Sequence, residues 1–244
     1  MPEPFLSIVL PAHNEEKRLP ETLKNLKDFL QIQNYPSEVL VVENGSQDRT
    51  FEIAQEFVDP SGWLRVLHEE YRGKGLAVKR GMLEARGDYC LFGDVDFSMP
   101  IPEINRFIPP LLPEADIAIA SREAPGAVRY NEPAYRHFIG RIFNSMVRIA
   151  ALPELQDTQC GFKCFRREAA QEVFRLQTLP GMSFDVEVLF IARRMGFRIV
   201  EIPVPWYYNS DSRVRLFDDS LAMALDLMAI RRNARRGLYK AGRG

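Results

Sequence analysis

Two aspartates one residue apart, Asp94 and Asp96, are the side chains of this 244-residue chain whose type and spacing best suit metal chemistry. They follow the apolar segment 89–93, which has the composition of a buried strand. A strand end that presents two carboxylates makes a hard oxygen site. Mg²⁺ and Mn²⁺ favour such oxygens, and Mg²⁺ usually binds one or two carboxylates together with substrate phosphates. An Asp-x-Asp triplet also occurs in ordinary turns, so the metal assignment depends on the rest of the chain.

Three other polar segments follow apolar runs in the same way. They are Pro-Ala-His-Asn-Glu-Glu at 11–16, Glu-Asn-Gly-Ser-Gln-Asp-Arg-Thr at 43–50 and Arg-Gly-Lys-Gly at 72–75. In the second, Gly45 suits a tight turn and Ser46 suits a helix cap. The third opens a predicted helix, and it lacks the Gly-x-x-x-x-Gly-Lys-Ser/Thr spacing of a Walker loop.

The elements that must position these segments alternate along the first half of the chain. Buried strands are predicted for the apolar runs 5–10, 39–42, 64–67, 89–93 and 117–120. Helical patterns separate them, most clearly Leu19, Leu23, Leu26 and Leu30, whose spacing keeps them on one helical face. This rhythm predicts a parallel, doubly wound α/β sheet with right-handed crossovers. Ligands bind off the carboxyl ends of the strands in such sheets, where every polar segment above is predicted to lie.

The second half of the chain contains two amphipathic helices. The first, 134–151, places apolar residues on one side: Phe138, Ile139, Ile142, Phe143, Met146, Val147, Ile149 and Ala150. Its polar side carries His137, Arg141, Asn144, Ser145 and Arg148. The second helix, 217–232, begins with aspartates and ends in arginines, which suits its dipole. We expect a main domain over 1–215 and a C-terminal helix with a basic tail over 216–244.

Composition limits the classes of partner. The net charge of −1 gives no support to a nucleic-acid partner. Cys90, Cys160 and Cys164 are too few and wrongly spaced for a disulfide framework or a four-ligand zinc site, which favours reduced thiols in a cytoplasmic protein. Because a predicted strand starts near residue 5, we expect no signal peptide, and because no apolar run reaches about 18 residues, we expect no membrane span.

Taken in chain order, these segments resemble family 2 glycosyltransferases of the GT-A fold, whose pattern is Pro-Ala-x-Asn-Glu-Glu, Asp-Asp-Gly-Ser-x-Asp-x-Thr, Gly-Lys-Gly and Asp-x-Asp. Downstream, residues 157–163 and 183–187 resemble the branch that glycosylates polyprenyl phosphates, such as the dolichyl-phosphate glucosyltransferases. The resemblance covers about residues 5–215. It implies a GT-A (Rossmann-like), mostly parallel central sheet flanked by helices, with C-terminal amphipathic helices.

The resemblance implies metal-dependent, inverting transfer of a hexose, with glucose and a UDP-linked donor favoured, to a polyprenyl phosphate. Asp94 and Asp96 would bind Mg²⁺ or Mn²⁺ against the donor diphosphate, with Asp96 catalytic. The other residues implied for nucleotide-sugar binding are Pro11, Ala12, His13, Glu15, Glu43, Asn44, Lys74, Val95 and Arg213. The family more often has two aspartates at the positions of Glu43 and Asn44, so the identity of the base stays open.

For the acceptor, the resemblance implies Arg122, Arg136 and Lys163, with the Arg122 fork suited to a phosphate. Asp157 is expected to be catalytic in one of two roles. A hydroxyl acceptor would need it as a general base. A lipid phosphate has a second pKa of about 6 and is already anionic at neutral pH, so Asp157 would then only orient groups. Asp185 is expected, with Glu187, to favour the start of a helix by its charge.

Other readings remain open. A related transferase could use a soluble or glycan hydroxyl acceptor, and a non-catalytic nucleotide-sugar-binding module would not need the intact aspartate pair. A nucleotidyltransferase would want a basic, glycine-rich loop after the first strand, where this chain has acidic residues. A homodimer is a further open reading. The two amphipathic helices predict either packing on the sheet or peripheral contact with the cytoplasmic face of a membrane.

Overall fold

The structure is a computed structural model that describes residues 3–112, 114–209 and 216–240. In that part of the chain the strands are β1 (Leu6–Ala12), β2 (Ser37–Glu43), β3 (Leu64–His68), β4 (Tyr89–Phe92), β5 (Ile117–Ser121), β6 (Val128–Tyr130), β7 (Lys163–Arg166), β8 (Ile199–Pro203) and β9 (Pro205–Tyr207). Seven of them form one sheet in the order β3-β2-β1-β4-β7-β5-β8, and β6 pairs with β9. The predicted α/β class with a central sheet is confirmed.

The helices are α1 (Leu19–Gln31), α2 (Thr50–Glu56), α3 (Lys74–Glu84), α4 (Ala134–Ala150), α5 (Arg167–Leu176), α6 (Phe184–Met195) and α7 (Leu216–Arg235), with a 3₁₀ helix over Ile101–Phe107. The leucine stripe of α1 is buried as predicted, against a core layer that includes Ile8 and Leu91. A second layer, which includes Val9, lies under α3, α5 and α6. The sheet therefore carries helices on both faces.

The sheet is mostly parallel, with one antiparallel strand. β1 pairs in parallel with β2 and β4, and β5 pairs in parallel with β8. β7 runs antiparallel between β4 and β5, so it begins at the edge where its neighbours end, and Lys163 pairs with Phe92 and Ile119. The sequence did not predict β7, because it is four residues long and starts with a lysine. Its direction brings the preceding loop, 157–162, to the edge where β4 delivers Asp94.

Helix α4 differs from its predicted packing. Val147 is buried, but Asn144, predicted on the polar side, is buried as well, while Ile142 and Met146 are exposed and Ile149 is 86% exposed. The side chains of Arg136, Phe138, Ile139 and Phe143 lie outside the described part of the structure. The buried side of α4 is therefore rotated from the predicted one, because α4 packs against α7.

The C-terminal helix belongs to the core of the described chain. Met223, Leu227 and Ile230 of α7 are buried in the same cluster as Phe92 of the central sheet. Tyr239, beyond the helix, is buried there too. The division between 1–215 and 216–244 remains a prediction. Among the described residues, the structure contains no helix of the length and apolarity that crossing a membrane requires.

Candidate active site

The site lies where the parallel strands end. Ala12, Glu43 and His68 are aligned across the last positions of β1, β2 and β3. β4 ends two residues before Asp94, and β7 starts beside it. The loops that follow these strands therefore meet at one edge of the sheet, as the pattern of polar segments predicts.

The Asp94 carboxylate faces a lysine. Lys74, the first residue of α3, places its ammonium nitrogen 2.5 Å from Asp94 Oδ1. Burial alone would lower the pKa of Lys74, but Asp94 and Asp185 reverse this and raise it, so the ammonium stays charged. Across the loop, a Cβ on Gly161 would lie 2.1 Å from Asp94 Oδ2. Only glycine at 161 lets this carboxylate lie where it does.

Asp96 is largely buried, with 19% of its side chain exposed. Its Oδ1 has no hydrogen-bond partner among the residues that the structure describes, and the nearest guanidinium nitrogen, Arg18 NH1, is 3.9 Å from Oδ2. Burial, together with the charge of Asp94, raises the pKa of Asp96. A buried carboxylate oxygen that lacks a donor beside a second carboxylate fits a divalent cation, which would offset both charges.

The protein would supply few ligands to such an ion. Within the described residues, no group of three or more His, Cys, Asp or Glu side chains is placed to hold a metal. Two carboxylates completed by substrate phosphates is the arrangement typical of Mg²⁺ sites in enzymes that handle phosphates. The residues present therefore fit a metal that binds together with a diphosphate.

Asn44 organises the segment before Lys74. Its side-chain amide donates to the Tyr71 carbonyl at 2.6 Å, and its Oδ1 accepts the Gly73 amide at 2.8 Å. The adjacent Glu43 is also buried, and its Oε2 lies 2.6 Å from His68 Nδ1. The sequence predicted nucleotide contact for this pair. The contacts within the protein give it a second role, which is to fix the loops around the site.

The loop after β1 packs on the loop after β2. His13 Nδ1 lies 2.7 Å from the Asn44 carbonyl oxygen, and the Glu15 amide donates to Thr50 Oγ1 at 2.7 Å. Pro11 and Ala12 end β1 beneath these contacts. The residues predicted to bind the nucleotide sugar from these two loops are therefore brought together.

The predicted helix cap in this region is wrong. Ser46 does not cap α2, which begins at Thr50. Its hydroxyl oxygen accepts the Asn14 amide at 3.0 Å, so it joins the two loops. Asp48 instead accepts the Thr50 amide at 3.0 Å, because it lies two residues before the start of the helix.

On the other side of Asp94, Arg122 and Asp157 form a bidentate ion pair. Arg122 Nε donates to Asp157 Oδ2 at 2.7 Å, and its terminal nitrogen donates to Oδ1 at 2.9 Å. The Arg122 and Gln159 amides donate to the same carboxylate. Asp157 is fully buried, which alone would raise its pKa, but the Arg122 charge and these hydrogen bonds hold the pKa well below its usual range. Arg122 also lies over the Trp206 ring, 5.4 Å from its centre.

Lys163 is completely buried. Its ammonium donates to Asp185 Oδ1 at 2.6 Å and to the Cys160 carbonyl at 2.7 Å. This placement does not support the predicted contact between Lys163 and an acceptor. Asp185 lies in the first turn of α6, as predicted, but it is buried and serves as the partner of Lys163. The Arg136 side chain and Arg213, which were also predicted to be in the site, lie outside the described residues.

Three residues near the candidate site were not predicted from the sequence. Arg18 approaches Asp96 from α1, Gly161 makes room for Asp94, and Trp206 underlies Arg122. Gly161 had a usable signal, because it stands between the predicted residues Asp157 and Lys163. Arg18 and Trp206 had none, since their proximity depends on how distant segments pack.

The chain is similar to known proteins along almost all of its length. Residues 7–174 match the family described as Glycosyl transferase family 2. A dolichyl-phosphate beta-glucosyltransferase of Dictyostelium discoideum is 33% identical, over 97% of this chain and 76% of that protein. The enzyme of that name from Drosophila melanogaster is 36% identical, over 92% of this chain and 74% of that protein.

Among solved structures, glucosyl-3-phosphoglycerate synthase from Mycobacterium tuberculosis, in complex with Mn²⁺ and UDP-glucose, matches with a TM-score of 0.65. The two chains are 22% identical, and the match covers 98% of this chain and 81% of that structure's chain. This likeness supports the GT-A fold, and the family match covers more than half of the chain. The chain therefore belongs to glycosyl transferase family 2, and it is a glycosyltransferase.

Proposed function

We propose that the protein transfers glucose, with inversion, from UDP-glucose to a polyprenyl phosphate. The names of its relatives in Dictyostelium and Drosophila support the sugar and the acceptor. The observation that carries the proposal is the buried ion pair between Arg122 and Asp157. This pair bears directly on whether the acceptor is a phosphate or a hydroxyl.

Asp157 is poorly suited to act as a general base. Both of its oxygens already accept hydrogen bonds from protein donors, and its pKa is held well below the usual carboxylate range. A base must have a pKa near the working pH to take up a proton efficiently. A hydroxyl acceptor would need such a base, whereas a phosphomonoester with a second pKa of about 6 is already ionised. The pair therefore supports a phosphate acceptor.

Arg122 is suited to hold that phosphate. The pairing with Asp157 uses two of the five N–H donors of its guanidinium. The carboxylate and the Trp206 ring fix its orientation. Because an arginine recognises phosphate through donors in a fixed plane, a fixed guanidinium lowers the entropy lost on binding. In this proposal Asp157 orients Arg122 and transfers no proton.

The donor diphosphate would lie on the other side of the site. Asp94 and Asp96 would bind Mg²⁺ or Mn²⁺, and the ion would offset the charge that develops on the leaving diphosphate. The Lys74 ammonium stands beside Asp94 and would contact the diphosphate directly. The loops that contain His13 and Asn44 would border the nucleoside. The ionised acceptor phosphate would attack the anomeric carbon from the side of Arg122.

A membrane-embedded acceptor also calls for a surface that contacts lipid, and we propose α4 and α7 for it. These helices pack against each other and expose apolar side chains, of which Ile149, Leu225 and Met228 are each more than half exposed. The two helices also carry basic side chains, including the exposed Arg148 of α4 and Arg232 of α7. Basic residues near an anionic surface contribute about 1 kcal/mol each, and the contribution falls with salt.

The experiment that tests the acceptor compares two lipids that differ only in the phosphate. The protein is incubated with Mn²⁺ and UDP-glucose, GDP-mannose or UDP-N-acetylglucosamine, and with a short-chain polyprenyl phosphate or the corresponding polyprenol. We expect a glycolipid from UDP-glucose and the phosphate, and none from the alcohol. Efficient transfer to the alcohol would overturn the phosphate-acceptor proposal, and product from another donor alone would correct the sugar.

A further inference from the structure

Glu187, in the first turn of α6, is a fully buried carboxylate that collects hydrogen bonds from two distant parts of the chain. It accepts the backbone amides of Thr178 at 3.0 Å and Leu179 at 2.7 Å, and the Thr178 hydroxyl at 2.5 Å. It also accepts the hydroxyl of Tyr239 at 2.6 Å. Glu187 therefore ties the end of the described chain to the segment 177–180.

Segment 177–180 is in turn bound to the start of α3. The Gly75 amide donates to the Pro180 carbonyl at 2.9 Å, and the Gln177 side chain donates to the Gly75 carbonyl at 2.9 Å. The two backbones touch, since a Cβ on Gly73 would lie 2.4 Å from the Pro180 carbonyl oxygen. Close packing of this kind transmits a displacement instead of absorbing it.

Lys74 lies between Gly73 and Gly75, so this contact fixes the backbone of the lysine that faces Asp94. A continuous path thus runs from the Tyr239 hydroxyl through Glu187 and segment 177–180 to the Lys74 ammonium. Each step in it is a hydrogen bond or a backbone contact with little room for adjustment.

Tyr239 is well placed to hold the far end of this path. It is buried in the core with α7, where the Asn233 amide lies 3.4 Å from its hydroxyl oxygen. Burial raises the pKa of Tyr239, and the Glu187 charge adds to the effect, so the phenol remains protonated and keeps donating. Loss of the hydroxyl would leave the buried Glu187 carboxylate with one donor fewer.

We propose that Tyr239 is a positioning residue for donor binding, which acts through Glu187 and segment 177–180 to hold Lys74 beside Asp94. The identification of the donor as UDP-glucose rests on the proposed function, but the mechanical coupling does not. The C-terminal segment is thereby part of the donor site without touching the donor.

The coupling is tested first without any ligand, by residue-resolved amide exchange of the full-length protein. Tyr239→Phe removes only the hydroxyl, and we expect faster exchange at the Leu179 and Gly75 amides than in the wild type. Ile230→Val is the matched control, because it removes one methylene from the buried face of α7 and no hydrogen bond of the path. Equal exchange at 75 and 179 in Tyr239→Phe and Ile230→Val would overturn the proposal.

Binding and kinetics give the second readout. We expect Tyr239→Phe to raise the Kd for UDP with Mn²⁺, measured by calorimetry, by about three- to tenfold, which lies within the roughly two- to thirtyfold range of remote coupling between residues. The KM for UDP-glucose should rise with it, while the KM for polyprenyl phosphate stays unchanged. The double variant of Tyr239→Phe with Glu187→Gln should weaken UDP binding by less than the sum of the free-energy changes of the two single variants. Both residues lie on one path, so their effects overlap.

Each outcome decides a separate question. If the wild type binds no UDP, the proposed donor is wrong, while the exchange experiment still decides the coupling. If UDP binds but Tyr239→Phe leaves its Kd unchanged, the positioning role is wrong. Should Tyr239→Phe not fold, Asn233→Ala removes donors to both Tyr239 and Thr178. It should then shift exchange and Kd in the same direction, and no shift would overturn the proposal.

Discussion

At the scale of single residues, the two sides of the site use buried carboxylates in opposite ways. Arg122 keeps Asp157 ionised, and the Asp157 charge in turn orients the Arg122 guanidinium. Burial and the charge of Asp94 disfavour the ionised form of Asp96, and together they outweigh Arg18 and Lys74 and raise its pKa. The protein thus satisfies the charge of Asp157, and we propose that a metal ion offsets the charge of Asp96. Mutation should separate these roles.

We expect Asp96→Asn to lower transfer by about 100-fold or more, because the loss of one carboxylate weakens the metal and diphosphate stabilisation by several kcal/mol. The fold should be retained and the melting temperature unchanged or raised, since the amide removes a destabilised buried charge. Initial rates across a Mn²⁺ titration and thermal melting check both. Asp88→Asn is the control, because Asp88 is exposed and directly precedes β4, the strand that leads to Asp96. Near wild-type turnover at all metal concentrations would refute the assignment.

We expect Asp157→Asn to destabilise the fold by about 3 kcal/mol, because it leaves Arg122 without a charged partner. This value is at the low end of the destabilisation found when a buried ion pair loses one partner, since a fifth of the Arg122 side chain is exposed. Urea unfolding at pH 7 measures it. The exposed pair of Glu56 with Arg49 gives the control, and Glu56→Gln should change stability little.

The pH dependence of this effect has a defined sign. Because the folded-state pKa of Asp157 is lowered, its contribution is present above the unfolded value of about 4 and is lost as pH falls through the folded value. The stability difference between wild type and Asp157→Asn should therefore shrink below about pH 4. In the rate profile, Asp157→Asn should not remove a limb above pH 7. The disappearance of such a limb would identify Asp157 as a base and a hydroxyl as the acceptor.

At the scale of elements, the sequence predicted the strands and helices whose burial requires apolar residues. Strands β1 to β5 were found because buried parallel strands are nearly continuous apolar runs. β7 was missed because its first residue is a lysine, and whether a lysine is buried depends on a partner, Asp185, that only the folded chain supplies. The packed side of α4 was misjudged for a related reason, since its apolar residues exceed what its neighbours cover.

The loop between Asp157 and β7 permits a prediction at this scale. In Gly161→Ala the new Cβ would fall 2.1 Å from Asp94 Oδ2, so Asp94 must move away from its present position near Lys74. We expect Mn²⁺ to bind more weakly and transfer to be at least about tenfold slower, because changes to residues that orient metal ligands have effects of this size. Gly140→Ala is the control, as nothing lies within 4 Å of its Cβ. Equal activity of the two variants would contradict this role.

At the scale of the whole molecule, the proposed function assigns the donor and the acceptor to different parts of one sheet edge. In the proposed function, the loops after β1 and β2 and the start of α3 would border the donor, while the end of β5 and the loop before β7 would border the acceptor. Asp94 and Asp96 lie between them. Helix α4, which packs against α7, exposes apolar side chains that we propose to face the lipid. Because Tyr239 is buried in the core, deleting the basic tail from 231 onward would disturb the fold, so point variants are the proper test of membrane contact.

We expect the protein to float with anionic vesicles at low salt and to be released at high salt. Arg231→Gln with Arg232→Gln should weaken binding by about 1 kcal/mol for each charge near the surface. Ile149→Glu and Met228→Glu should weaken it further, because each places a carboxylate where an exposed apolar side chain would meet lipid. Leu111→Glu makes the same change at an exposed site on neither helix and should leave flotation unchanged. If the wild type fails to bind anionic vesicles even at low salt, the lipid-facing role of α4 and α7 is wrong and a soluble acceptor is favoured. If all three glutamate variants reduce flotation equally, binding depends on overall charge and not on a surface formed by these helices.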